Sequence, residues 1–125
     1  MPAPKQKRVL VVEDEKAYSR ALVLKLQHAG YEAHSVANGE EALAVFTKEK
    51  FDLVLLDLVM PRLNGFSVLE EMRKRSIGTP VIVLSNLSQD DDEKKARELG
   101  ARDFLGKSNT PIASVIVKVD SVFNT

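Results

Sequence analysis

Residues 52–65 read Asp52-Leu53-Val54-Leu55-Leu56-Asp57-Leu58-Val59-Met60-Pro61-Arg62-Leu63-Asn64-Gly65, and the remainder of the chain is arranged around them. The first half is an unbroken apolar run bounded by acids, the pattern of a parallel strand buried on both faces. The second half breaks at Met60-Pro61 and turns through Asn64-Gly65. Asp57 is therefore delivered to the carboxyl end of a central strand just where the chain leaves the sheet. In open α/β sheets the ligand crevice lies outside the carboxyl ends of the strands, so position alone raises Asp57 above the other acids.

Working toward the amino terminus, Asn38 caps a predicted helix with Glu40 and Glu41 in its first turn and Ala42, Leu43 and Phe46 inward. Glu32 to Ala37 is short and mixed, as expected of an edge strand. Lys16 to Ala29 carries Leu22, Leu26 and Ala29 on one helical face, with Gly30 as the stop. Tyr18, Ala21 and Leu24 lie off that stripe and read either as core shoulder or as a partly exposed apolar patch for a partner. Val9 to Val12 is a β-branched run that halts at Glu13-Asp14-Glu15, the first strand and its exit.

Working toward the carboxyl terminus, Asn64 caps a third helix that buries Phe66, Leu69 and Met72. Pro80 opens a doubly buried strand, Val81 to Leu84, that ends at Ser85-Asn86. Ser88-Gln89-Asp90-Asp91 reads as a helix start closed by Gly100, and its acids, Asp90 to Glu93, are better explained by the helix dipole than by a metal. Arg102 to Leu105 is a short last strand running into Gly106-Lys107. Thr110-Pro111 reads as an N-cap followed by proline at the first helical position. The final segment fits a helical face through Ile112, Ile116, Val119 and Phe123 and a strand through Val115, Val117 and Val119; the Thr-Pro start and the alternation of the chain favour the helix.

Strand and helix signals thus alternate five times, which implies an α/β fold with a five-stranded parallel sheet covered on both faces by right-handed crossovers. The helices with Leu22 and Phe123 are expected on one face, those with Phe46, Leu69 and Leu99 on the other. A chain of 125 residues suits a single domain, residues 1–125, with residues 1–7 as a loose lead. Eighteen basic and eighteen acidic side chains cancel, and no basic face with interleaved aromatics argues for direct nucleic-acid binding. The absence of cysteine excludes disulfides, thiolate metal sites and cysteine nucleophiles. The basic start is followed by too short an apolar run for a signal peptide or membrane span, so the expectation is a cytoplasmic protein without membrane contact.

At the strand ends stand Glu13 and Asp14, Asp57, Ser85 and Lys107. Clustered carboxylates repel, and a hard divalent cation with oxygen ligands relieves that repulsion; Mg²⁺, which keeps several waters and sits beside phosphates, is the natural candidate. A carboxylate nucleophile, a cation, a lysine and a hydroxyl around one point describe a site that receives a phosphoryl group, with Asp57 forming the acyl phosphate.

The set Leu-Val-Val-Glu-Asp-Glu, Leu-Leu-Asp-Leu-Val-Met-Pro-Arg-Leu-Asn-Gly, Val-Ile-Val-Leu-Ser and Gly-Ala-Arg-Asp-Phe-Leu-Gly-Lys, in this order and spacing, resembles the response-regulator receiver domain of two-component signalling from Arg8 onward. The resemblance implies a flavodoxin-like strand order, 2-1-3-4-5, and a phosphoacceptor that assists its own phosphorylation and dephosphorylation without being an enzyme of its own. It implies that Asp57 accepts phosphate from a histidine kinase or histidine phosphotransfer protein. Glu13, Asp14, Asp57 and the backbone carbonyl of Val59 would bind Mg²⁺, and Lys107 would pair with the phosphate. Ser85 and Phe104 would form the switch, altering the face made by the fourth helix, last strand and last helix for an output protein; the expected state is a monomer or a weak phosphorylation-dependent dimer.

Four departures qualify these expectations. Glu13 stands where the family more often has Asp, so it reaches a metal through a water. Phe104 replaces a frequent Tyr and offers no phenolic hydroxyl. Val59 has no polar side chain to orient a hydrolytic water, which predicts slow self-dephosphorylation. Lys107-Ser108 replaces Lys-Pro, and a cis bond before a non-proline costs about 2.5–4 kcal/mol, so a trans peptide is expected. The alternative function is a receiver-shaped interaction module that is not phosphorylated, against which the intact acid set argues. A flavin-binding relative is disfavoured because Glu13-Asp14-Glu15 would repel the cofactor phosphate, and a hydrolase because His28 and His34 lie far from the strand ends. Tyr18 and Ala21, flanking the pocket, are the candidate kinase-docking residues.

Overall fold

The computed structural model describes residues 6–86 and 90–124, with only the backbone of Asp90. Strands β1 (Arg8–Val12), β2 (Glu32–Val36), β3 (Leu53–Leu56), β4 (Val81–Ser85) and β5 (Asp103–Gly106) alternate with helices α1 (Lys16–His28), α2 (Gly39–Phe46), α3 (Gly65–Lys74), α4 (Asp90–Glu98) and α5 (Ile112–Phe123). The strands form one parallel sheet in the order β2-β1-β3-β4-β5, as the resemblance implied.

Each strand side chain points to the face opposite its neighbour's, and the three central strands are apolar except for Arg8 at the start of β1 and Ser85 at the end of β4, so two cores result. Leu10, Val12, Val54, Leu56, Val81 and Val83 pack under α2, α3 and α4 with Ala42, Val68, Leu69, Met72 and Ala96. Val9, Val11, Leu53, Leu55, Ile82 and Leu84 pack under α1 and α5 with Leu22, Leu26, Val115, Ile116 and Val119. The expected division of helices between the faces holds. At the amino edge of the sheet the Arg8 guanidinium ties Glu32, Glu49 and the carbonyl of Lys50 together while lying 4.7 Å from the centre of the Phe51 ring.

The structure departs from the sequence reading in several places. Ala29 is exposed because α1 ends at His28, and the buried stripe is Ser19, Leu22 and Leu26. Phe66 is only half-buried, whereas Val68 is fully buried on α3. Proline is not the first residue of α5: Pro111 keeps an extended ψ of 150° and is itself the N-cap, its carbonyl accepting from the amides of Ser114 and Val115. Thr110, held extended by the proline that follows it, makes no side-chain cap. Gln6 and Lys7, assigned to the loose lead, are tied down: the Gln6 amide donates to the carbonyl of Gly30, and the Lys7 carbonyl accepts from the amide of Glu32. The proposed cap at Ser88 lies outside the described residues. The Lys107-Ser108 peptide is trans, as expected, and opens a 3-10 turn over Lys107–Asn109.

Candidate functional site

Sheet register assembles the site. Val12 and Leu56 are Cα partners across β1 and β3, so Glu13 and Asp57, each one residue further on, emerge side by side. The Glu13 amide donates to the carbonyl of Val36 and the Asp57 amide to that of Val12, which extends the ladder by one step into the crevice. On the other side Ser85 pairs with Gly106 across β4 and β5, and Lys107 follows Gly106 directly. Four segments far apart in sequence thereby meet at one edge.

Their side chains converge. Lys107 Nζ lies 3.3 Å from Asp57 Oδ2 and in ion-pair contact with Glu13 Oε1, and all three side chains are at most 8% exposed. Glu13 Oε2 accepts from the amide of Glu15 at 3.2 Å, and Asp57 Oδ1 from the amide of Val59 at 3.3 Å. Glu13, Asp14 and Asp57 each bring one carboxylate oxygen within 4.8 Å of the others; Asp14 is the exposed member. Burial and the neighbouring charge of Asp57 push the Glu13 carboxyl up to about 7 against the pull of Lys107. Burial draws the Lys107 ammonium down, but its pairing with Glu13 and Asp57 outweighs this and raises it.

Three acids facing one ammonium form a site short of positive charge. That donor set, all hard oxygen and open to solvent at Asp14, fits a hard divalent cation that retains waters. The crevice also suits phosphoryl chemistry, which needs charge compensation on the transferred oxygens more than it needs an acid or base.

Every other predicted residue can be placed. Ser85 is fully buried at the end of β4. Phe104 is half-buried on β5, opposite Val83, and packs against the core beneath α4. Val59 exposes its side chain beside the pocket. His34 is paired with Glu32 on β2, and His28 is exposed at the end of α1. Tyr18 packs against the core under α1, with its hydroxyl buried and unbonded, which matches the core-shoulder reading; Ala21 is half-buried on the same helix. Two features escaped the sequence reading. Tyr18 places its ring centre 4.9 Å from Lys107 Nζ; the available signal was its position one turn after the acids, on the helix that leaves them. Gly65, read only as a turn residue, packs tightly against the backbone of Asp57 and Leu58, and its amide donates to the carbonyl of Leu58.

A doubly wound parallel sheet with an acid trio, a lysine and a buried hydroxyl at its carboxyl edge defines a phosphoacceptor-type α/β domain. Residues 9–116 match the model of the response regulator receiver domain, and the chain belongs to that family. The chain is 41% identical over 121 residues to the probable transcriptional regulator ycf27 of Porphyridium aerugineum, covering 92% of this chain and 50% of that protein. It is 34% identical to the alkaline phosphatase synthesis transcriptional regulatory protein PhoP of Bacillus subtilis, covering 84% of this chain and 44% of that one. The chain thus spans about half the length of these curated relatives. Among solved structures, the receiver domain of the Francisella response regulator 1452 superposes with a TM-score of 0.89 at 30% identity, covering 94% of this chain and 97% of that one. Vibrio cholerae chemotaxis protein CheY4 superposes with a TM-score of 0.87 at 28% identity, covering 94% and 99%. No helix among the described residues is long and apolar enough to cross a membrane.

Proposed function

We propose that this receiver domain takes a phosphoryl group onto Asp57 from a phosphohistidine of a histidine kinase or histidine phosphotransfer protein. The single observation that supports this most is the Lys107 ammonium reaching both Asp57 and Glu13 inside a three-carboxylate crevice. A carboxylate oxygen of Asp57 attacks phosphorus in line; the new P–O bond forms as the P–N bond to the donor imidazole breaks, and that bond's electron pair returns to the ring nitrogen. Bound Mg²⁺ supplies positive charge beside the transferring oxygens.

Asp14 and Asp57 would hold the metal directly, Val59 would offer its carbonyl, and Glu13 would reach the metal through a water. Lys107 adds a fixed positive charge beside the acceptor. Ser85 then donates its hydroxyl to the phosphorylated Asp57, and Phe104 turns into the space this vacates, reshaping the surface of α4, β5 and α5 that an output protein reads. Output runs through protein contacts of that surface.

Incubation with acetyl phosphate and Mg²⁺ tests this reading: intact mass should rise by one phosphoryl group, and Asp57→Asn should remove the gain. An unlabelled wild-type protein would instead favour an interaction module that works unphosphorylated. The labelled protein should also lose its phosphate slowly, because Val59 offers no polar group to a hydrolytic water; a lifetime of seconds in Mg²⁺ would contradict that.

A further inference from the structure

We propose that Tyr18 is a positioning residue for Lys107, its ring forming the third wall of the seat that holds the ammonium; this rests on the phosphoacceptor reading above. The Nζ atom lies 4.9 Å from the Tyr18 ring centre, 3.3 Å from Asp57 Oδ2 and in contact with Glu13 Oε1. An ammonium within about 6 Å of an aromatic face is attracted by the ring quadrupole, most strongly where water is excluded. Water is largely excluded here, since the Lys107 side chain is 8% exposed.

The ring acts in this seat and the hydroxyl does not. Tyr18 Oη is buried and makes no hydrogen bond, so it contributes neither a bond to Lys107 nor one to the acids. Around it the ring packs into the core beneath α1 and α5, which fixes its plane. The backbone supplies less guidance to the lysine: Lys107 enters a 3-10 turn through a trans bond to Ser108, and the lysine side chain has four rotatable bonds to settle. The two carboxylates that restrain it are also candidate metal ligands. A ring face is not, and so it continues to hold the ammonium beside Asp57 when those oxygens turn to a cation.

The test uses the intact chain with Tyr18→Phe, Tyr18→Leu and Tyr18→Met, each alone and with Lys107→Met. In metal-free protein the εCH₂ protons of Lys107 should resonate upfield through the ring current, keep that displacement in Tyr18→Phe, and lose it in Tyr18→Leu and Tyr18→Met. With acetyl phosphate and Mg²⁺, Tyr18→Phe should label within about twofold of wild type, whereas Tyr18→Leu and Tyr18→Met should slow about five- to thirtyfold, the range between an exposed and a desolvated cation–π contact. In the Lys107→Met background these two substitutions should add no further loss, which a merely structural role for Tyr18 would not produce. Equal labelling of wild type and the aliphatic variants, or equal losses with and without Lys107, would overturn the assignment. Absence of label in wild type would bring down the phosphoacceptor reading and this inference with it, an outcome distinguishable because it precedes any substitution. Tyr18→Met, unbranched and adaptable, carries the comparison where Tyr18→Leu does not fold.

Discussion

Gly65 has no room for a side chain: a Cβ there would lie 2.4 Å from the carbonyl oxygen of Asp57 and 2.8 Å from Cα of Leu58. Both contacts are backbone, so Gly65→Ala should displace the loop that carries the acceptor, cost roughly 1–3 kcal/mol in urea unfolding, and slow labelling of Asp57. Gly78→Ala is the control, since nothing lies within 4 Å of a Cβ at that position; it should be neutral or stabilising by up to about 1 kcal/mol. Charge at single residues sets two pH dependences. Glu13, raised to about 7, binds a proton in the native state at pH values where the unfolded chain has released it, so in metal-free protein its contribution to stability falls as pH rises from about 4.5 through 7. A cation must displace that proton, so apparent Mg²⁺ affinity should increase between pH 6 and pH 8 and lose most of that increase in Glu13→Gln, as a metal titration followed by one-dimensional NMR would read. Asp103 has the opposite sign. Burial pushes its carboxyl up, but the amide of Phe104 together with Lys118 and Arg97 holds it below the ordinary range. Its stabilisation is present above the unfolded value and is lost as pH falls through the folded one. Asp103→Asn should therefore flatten the acid limb of a urea-midpoint profile below about pH 4.

Helix starts show how far local chemistry alone carries a reading. Asn38 and Asn64 were legible as caps, and their side chains accept from the amides of Glu41 and Ser67 at 2.9 and 3.0 Å. Thr110 carries an equally good signal but does not cap α5, because the N-cap falls one residue later, on Pro111, whose backbone is itself extended. Asn64→Ala should accordingly cost about 1 kcal/mol of stability, while Thr110→Ala should stay within about 0.5 kcal/mol, both from denaturant midpoints. The α1 stripe differs for a related reason: periodicity points to a face but not to the residue at which the helix stops, so it includes Ala29, which is exposed beyond the last turn, and omits the buried Ser19. Central strands were easier, because a strand covered on both sides must be apolar along its buried length, and Val9–Val12, Leu53–Leu56 and Val81–Leu84 are. For α5 the side chains fit either period. The helix wins because Val115, Ile116 and Val119 meet the sheet together from one helical face.

Across the whole molecule the strand ends were the legible part of the site, and the contacts between them were not. Glu13, Asp14, Asp57, Ser85 and Lys107 could be named from residue type and position, since a parallel sheet brings its carboxyl ends to one edge. That Lys107 divides itself between Glu13 and Asp57, with a tyrosine ring behind it, depends on side-chain packing that no spacing in the sequence encodes. The proposed switch also belongs to this scale. Binding of beryllofluoride with Mg²⁺ should shift amide resonances at Ser85 and Phe104 and along α4, β5 and α5, and leave the β2 edge with the ion pairs of Arg8 nearly unchanged; a response confined to the pocket would show that the far surface does not follow it. The two tyrosines lie in contrasting settings: Tyr18 against the Lys107 ammonium, and Tyr31 with its hydroxyl bonded to Asp120 beside Phe123. With no tryptophan in the chain, excitation on the red side of the tyrosine band selects these two phenols, and of the two it is Tyr18 that borders the crevice. Movement of Lys107 relative to the Tyr18 ring should therefore change tyrosine emission, and stopped-flow fluorescence with Mg²⁺ and acetyl phosphate, compared with Tyr18→Phe, would read it without any attached dye.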